Sequence, residues 1–395
     1  MKSRIFLDYA STTPLDSVVL KAMTPYYKKY FGNPSSAHSF GQKTKAAIEE
    51  ARARVSKFLE CAPLEVFFTS GATEANTSVI HGVVEACEEK KPGLKPHIVV
   101  SAIEHESVLA PIRRLELAQR VEATYVSPGR DGIVSASDVA RAVRSHTALV
   151  SVMYVNSEVG TVQPVAEIGG MLVKRPPSVF GFKTIFHTDA VQAAYWLECS
   201  PAALKADFLT LSAHKIYGPK GVGVLYKKEG VPFVPLLRGG GQEYAMRSGT
   251  ENVAGIVGCG EAVRYLFDPK ISVARIRIRQ VRDRIIRGVL KRIGGASLTG
   301  ALDGRVFNNA HFLLEGVDGR DLALALDREG FAVSTGSACS ENTREASHVL
   351  IAMGVAPQDA LGALRVTVGK QTKAEDADKF IGTLAAVLKR ARIKQ

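Results

Sequence analysis

Between about residues 40 and 225 the chain alternates short apolar runs, rich in β-branched residues, with longer stretches of helical periodicity. "VFFT", "HIVVS", "ATYV", "ALVSVM", "TIFHT", "DFLTLS" and "VGVLY" predict strands. Between them, "GQKTKAAIEEARARVSKFL" (41–59) and "ATEANTSVIHGVVEACEEK" (72–90) predict helices. Such alternation predicts helices layered on a mostly parallel sheet. Ligands of open α/β sheets sit outside the carboxyl ends of the strands, so the residues just after each apolar run are the ones to read for chemistry.

Past about residue 261 the pattern changes to a long basic helix, two or three weaker strands and a terminal helix, "AEDADKFIGTLAAVLKRAR". This predicts a second, smaller domain. In "ARIRIRQVRDRIIRGVLKR", Ile278, Val281, Ile285 and Val289 recur at helical spacing and arginines fill the other faces, as in a solvated amphipathic helix. No internal repeat or long low-complexity linker interrupts the chain, and "KRPPSVFGF" reads as a surface loop.

Composition narrows the class. An apolar fraction of 46% with 23% charged over 395 residues describes a soluble globular chain and excludes disordered and collagen-like ones. No run approaches the roughly 18 apolar residues of a membrane span, and "MKSRIFLDYASTTPLD" lacks the apolar segment of a secretory leader. A cytoplasmic location with no membrane partner is expected. The cysteines, Cys61, Cys87, Cys199, Cys259 and Cys339, are odd in number and scattered, which fits neither a disulfide framework nor a zinc site. A net charge of +12 (51 basic minus 39 acidic) permits an anionic ligand. Without zinc-finger spacing or an aromatic RNA-binding signature, no nucleic-acid partner is expected.

Several apolar runs end in reactive residues. "VFFTSGATEAN" passes from a strand through Ser70, Gly71, Ala72 and Thr73 into a helix, which exposes backbone N–H groups suited to a phosphate. The same residues also serve turn geometry alone. In "TLSAHKIYGPKG" a strand ends in Ser212, Ala213 and His214 before Lys215, a position suited to an amine that forms a Schiff base. A surface turn lysine, like Lys220 nearby, is the plainer alternative. "SAIEHESV" delivers His105, and "IFHTDAVQ" delivers Asp189 and Gln192. Jointly, a lysine, an acid, an imidazole and a phosphate cradle are the parts of a pyridoxal phosphate site. Finally, "VSTGSACSEN" sets Cys339 among glycine and small polar residues, whereas a free cysteine usually lies in a core.

The blocks "FLDYASTTP", "GNPSSAHSFG", "FTSGATEAN", "EHESV", "VNSEVGTVQP", "HTDAVQ", "SAHKIYGPKG", "RSGTEN", "STGSACS", "ASHVL" and "LRVTVG" cover nearly the whole chain. In order and spacing they resemble the cysteine desulfurases, pyridoxal 5'-phosphate enzymes of the class V aminotransferase family. The resemblance implies fold type I of these transferases, an α/β fold like that of aspartate aminotransferase. A large domain over residues 15–260 would bind the cofactor, and residues 1–14 with 261–395 would form a small α+β domain. It further implies that Lys215 is the Schiff-base lysine, that Asp189 pairs with the pyridinium nitrogen, and that Gln192 and Asn156 lie near the phenolic oxygen. His105 would stack on the ring and shuttle protons, and Ala72, Thr73, Ser212 and His214 would hold the phosphate. Thr250 resembles a residue given to that phosphate by the other subunit of a homodimer. Arg365 would grip the substrate's α-carboxylate, a task suited to its planar fork, with Asn33 assisting.

Cys339 resembles the nucleophile that takes sulfur from L-cysteine as a persulfide while alanine departs. Its glycine and serine neighbours suit a mobile loop carrying sulfur to an acceptor protein such as an iron–sulfur scaffold. The chain departs from the common pattern at Ser157, Ala346 and Thr367, where asparagine, proline and serine are more usual. The alternatives are a selenocysteine lyase or another enzyme of the same family, for which Cys339 would be incidental, and a non-catalytic cofactor-binding scaffold.

Overall fold

A computed structural model of the chain describes residues 4–336 and 346–392, with the side chains of the last two left out. Cys339 lies outside the described residues. Seven strands form the main sheet: β2 (Val66–Thr69), β3 (His97–Ser101), β4 (Glu122–Val126), β5 (Thr147–Ser151), β6 (Ile185–Asp189), β7 (Phe208–Ser212) and β8 (Gly223–Lys227). Their order is β2-β8-β7-β6-β5-β3-β4. All neighbours are parallel except β8, which is antiparallel to both β2 and β7. Two reversals cancel, so β2 points the same way as β7, and every strand but β8 presents its carboxyl end on one edge. The reversal of β8 follows from its connection: a dozen or more residues are needed for a parallel crossover, and the short turn after Ser212 returns the chain antiparallel.

The apolar runs are continuous because both sheet faces are covered. In β3, Ile98 and Val100 join one core cluster while Val99 joins the other, and in β2 Phe67 and Phe68 divide the same way. The helices Ala72–Lys90 and Glu106–Leu117 cover the first face. Ser39–Leu59 and Val253–Tyr265 lie on the second, crossing so closely that a Cβ on Gly260 would stand 2.7 Å from Ala51. The edge strand β4 is the partly exposed one and opens on a charged residue, Glu122, which discourages pairing with another chain.

Beyond the main sheet, β9 (Ala296–Leu298), β10 (Asn309–Leu314) and β12 (Ala363–Thr367) form an antiparallel sheet in the order β12-β10-β9. The helix Pro269–Arg292 buries Ile278, Val281, Ile285 and Val289, as its pattern predicts, and also Arg282, which donates to the Val306 carbonyl at 3.3 Å. Strand β1 (Ile5–Phe6) pairs in parallel with β11 (Phe331–Ala332), so the first described residues join the last third of the chain. From there the chain runs as a strap: Ala10 N–H donates to Thr367 Oγ1 at 2.9 Å, and Thr13 N–H donates to the His214 carbonyl at 3.0 Å. No helix among the described residues is long and apolar enough to cross a membrane.

Candidate active site

The common carboxyl edge borders a cavity of about 980 Å3. Lys215 enters it from the turn after β7, where its amine donates to the carbonyls of Ala10 and Ser11 at 2.5 and 2.7 Å. The strap thus fixes the lysine with neutral acceptors. Asp189, at the end of β6, is 5% exposed and lines the same cavity. Its Oδ1 accepts from Val191 N–H at 2.9 Å and its Oδ2 from Asn76 Nδ2 at 2.7 Å.

His105 caps the helix Glu106–Leu117, its Nδ1 accepting from Ser107 N–H at 3.0 Å. A backbone amide only donates, so this nitrogen carries the lone pair and the neutral ring holds its proton on Nε2. Gln192 also lines the cavity and donates to the Ala10 carbonyl at 2.9 Å. Ala72 and Thr73 begin the helix Ala72–Lys90 at the rim, where free N–H groups and the helix dipole suit an anion. Ser212 and His214 lie beside them; burial, with Lys215 and Lys220 close by, pushes His214 down to about 4, so its ring is neutral at pH 7. Lys220, whose plain reading is a turn lysine, lines the cavity too.

Arg365 projects from β12 and is 2% exposed. Its Nη1 donates to the carbonyls of Ser157 and Gly336 at 2.9 and 3.2 Å, its Nη2 to Asp8 Oδ1 at 2.8 Å, and its Nε has no partner among the described residues. Three sequence candidates do not line this cavity. Asn156 is buried, donating to the Ile103 carbonyl at 2.9 Å and accepting from the Glu158 and Val159 amides; it shapes the wall from behind. Asn33 is exposed and caps its own turn at Ser35. Thr250 is exposed beside a separate depression of about 840 Å3.

Other wall residues escaped the sequence reading. Glu104 is fully buried, with Oε1 accepting from Met153 N–H at 2.5 Å and Oε2 unpartnered among the described residues. Burial, reinforced by Asp189, holds its carboxyl well above the usual range. Glu158 is likewise raised by burial and accepts from Ser347 Oγ at 2.5 Å. Ser107 lines the cavity too, while Asn76 and Asp8 stand behind it on Asp189 and Arg365. One signal was available: in "ATEANTSVIHGVV" Asn76 falls on the stripe of Ile80, Val83 and Cys87, where a buried helix face otherwise carries apolar residues.

A lysine on a strand end, a buried carboxylate, an imidazole with a defined tautomer and an anion cradle together fit pyridoxal 5'-phosphate. Lys215 would anchor it, Asp189 would face its ring nitrogen, and the start of the helix Ala72–Lys90 would receive its phosphate. The site therefore has the make-up of a fold type I pyridoxal phosphate enzyme. The chain belongs to the aminotransferase class-V family, whose model matches residues 5–380. It is 42% identical over 395 residues to "Cysteine desulfurase IscS" of Dictyoglomus turgidum, covering 99% of this chain and 96% of that one. It is 39% identical to "Cysteine desulfurase IscS 1" of Archaeoglobus fulgidus, covering 98% and 97%. Among solved structures, a "NifS-like protein" superposes with a TM-score of 0.88 at 34% identity over 98% of this chain and 99% of the other.

Proposed function

We propose that this chain is a pyridoxal phosphate-dependent cysteine desulfurase, converting L-cysteine to L-alanine and retaining the sulfur as a persulfide on Cys339. The observation that carries this reading is the meeting of Lys215, Asp189, His105 and Arg365 on one cavity although they come from four different segments.

When bound, the cofactor acts as the electron sink that lets the substrate's Cα–H and Cβ–S bonds break. Arg365 receives the α-carboxylate, its guanidinium already aimed by the Ser157 and Gly336 carbonyls. Lys215 takes the α-proton, its amine brought to the cavity by the strap. His105 holds a proton on Nε2 and passes it where the reaction needs it. The thiolate of Cys339 attacks the substrate sulfur as the Cβ–S bond breaks; thiol and cysteine give persulfide and alanine with no other reactant. Burial pushes Cys61, Cys87, Cys199 and Cys259 up to about 12, so these four stay protonated and unreactive at neutral pH.

The same reading divides the chain into a cofactor domain over residues 15–260 and a small domain of 1–14 with 261–395. It makes the enzyme a cytoplasmic homodimer in which the exposed Thr250 reaches the partner's phosphate, and it hands the sulfur to an acceptor protein such as an iron–sulfur scaffold. Asn156 and Asn33 support the ring and the substrate from outside the cavity of the single chain.

The test is release of alanine and sulfide from L-cysteine under a reductant, beside Cys339→Ala. Equal amounts of both products are expected, lost in the variant while its bound chromophore remains. Undiminished turnover by the variant would remove Cys339 from the reaction.

A further inference from the structure

Asn76, behind the cavity wall, and Ser107, which lines it, join two of its functional groups. Asn76 Nδ2 stands 2.7 Å from Asp189 Oδ2 and 2.9 Å from Ser107 Oγ, and Ser107 Oγ stands 2.8 Å from His105 Nδ1. The donor directions follow from chemistry. A carboxylate only accepts, so the amide must turn its nitrogen toward Asp189, and its second hydrogen then reaches the serine oxygen. Ser107 is left with its own hydrogen to give, and His105 Nδ1 takes it, its one lone pair shared between this hydroxyl and the Ser107 N–H. One carboxamide thus links an acid of the cavity to its imidazole.

Stability alone does not explain this asparagine. Asn76 is fully buried among apolar neighbours, and its Oδ1 has no hydrogen-bond partner among the described residues. A buried orphan acceptor is costly, and what the asparagine gives in return is its nitrogen, which reaches Asp189 Oδ2 and Ser107 Oγ.

We propose that Asn76 is a positioning residue of the desulfurase. Its two amide hydrogens set the Asp189 carboxylate toward the ring nitrogen and, through Ser107, orient the His105 imidazole. This rests on the function proposed above. Because Ser107 is downstream of Asn76 on one branch only, the two positions have different signatures. Substitution of Asn76 disturbs both Asp189 and His105, whereas loss of the Ser107 hydroxyl disturbs His105 alone.

The experiment is nitrogen NMR on holoenzyme carrying 15N in the cofactor ring and in histidine, with His105 assigned by substitution. Asn76→Ala is expected to move both the ring-nitrogen signal and the His105 Nδ1 signal, and to lower kcat about tenfold to a hundredfold with much less change in KM. Ser107→Ala should move only the His105 signal, and Ser107→Thr should restore it. If Asn76→Ala does not fold, the nearly isosteric Asn76→Asp and the Ser107 pair carry the test. Both signals unmoved in the Asn76 variant, or a ring-nitrogen shift in Ser107→Ala, would overturn the proposal. Wild-type protein that shows these signals but releases no alanine from L-cysteine would overturn the desulfurase reading and leave the linkage standing.

Discussion

Arg52 and Arg365 are equally buried, each 2% exposed, yet their surroundings differ in kind. Arg52 is closed on all sides: its Nη atoms meet Glu243 at 2.8 and 2.9 Å, Nη1 also donates to the Val66 carbonyl, and Nε donates to Glu49. Glu243 in turn accepts from Phe68 N–H at 2.8 Å. This pairing pins three successive residues, Glu243, Tyr244 and Ala245, at φ of 47°, 56° and 62°, a left-handed conformation costing each roughly 1–2 kcal/mol. Arg365 instead has one carboxylate contact, an Nε with no partner among the described residues, and a cavity in front of it. A buried arginine whose partners all belong to the chain holds structure together. One short of partners among the described residues and beside a cavity has donors that suit a ligand carboxylate.

Removing the partner on the closed side should have the largest effect. Glu243→Ala leaves a buried cation and an unpinned turn, and should lower unfolding free energy by about 3–5 kcal/mol in urea titration. KM for L-cysteine should stay as in wild type; a large KM change would erase the distinction between the two sites. On the open side, Arg365→Lys keeps the charge and loses the fork. Its kcat/KM for L-cysteine should fall about tenfold to a hundredfold, chiefly through KM, and an unchanged value would mean that the carboxylate binds elsewhere.

A smaller effect is expected at Asp8, which holds the guanidinium when no substrate is present. Asp8→Asn should destabilise the protein by about 1 kcal/mol, and the unreactive product L-alanine should protect the variant from thermal unfolding more than it protects wild type. Equal protection would show that Asp8 and the ligand carboxylate do not compete.

The finest test is pH. Well below its ordinary value of 4.5, Glu104 is neutral in folded and unfolded chains alike. Above it the unfolded chain ionises while the buried group keeps its proton, so stability is lost as pH rises toward the raised value. Glu104→Gln, neutral throughout, should gain on wild type as pH rises above 4.5, until the raised value is reached. A margin independent of pH would mean that Glu104 is ionised in the folded protein.

Much of the fold is legible in the sequence. The helix read at 72–90 is observed as Ala72–Lys90, and "VFFT" and "HIVVS" are strands with the same bounds. Lys215, Asp189, His105, Ser212 and Thr73 were legible because each ends or closely follows a strand whose carboxyl end meets the cavity. Glu104 stood next to His105 and was passed over, since nothing local distinguishes a neutral buried acid from an exposed one. Asp8, Ser107 and Asn76 were missed because their importance lies in partners from other segments. The antiparallel course of β8 depends on strand pairing, which the pattern of apolar residues alone does not specify.

Where strands and helices form is settled locally along the chain, because side-chain period and turn chemistry act over a few residues. The same local sequence sets which reactive side chains lie at strand ends. Long-range packing alone sets Arg365 against Asp8, 357 positions away, and rests Lys215 on carbonyls more than 200 positions away. A buried polar group must find its hydrogen-bond partners wherever packing brings them, so the difference between Arg52 and Arg365 exists only in the folded chain.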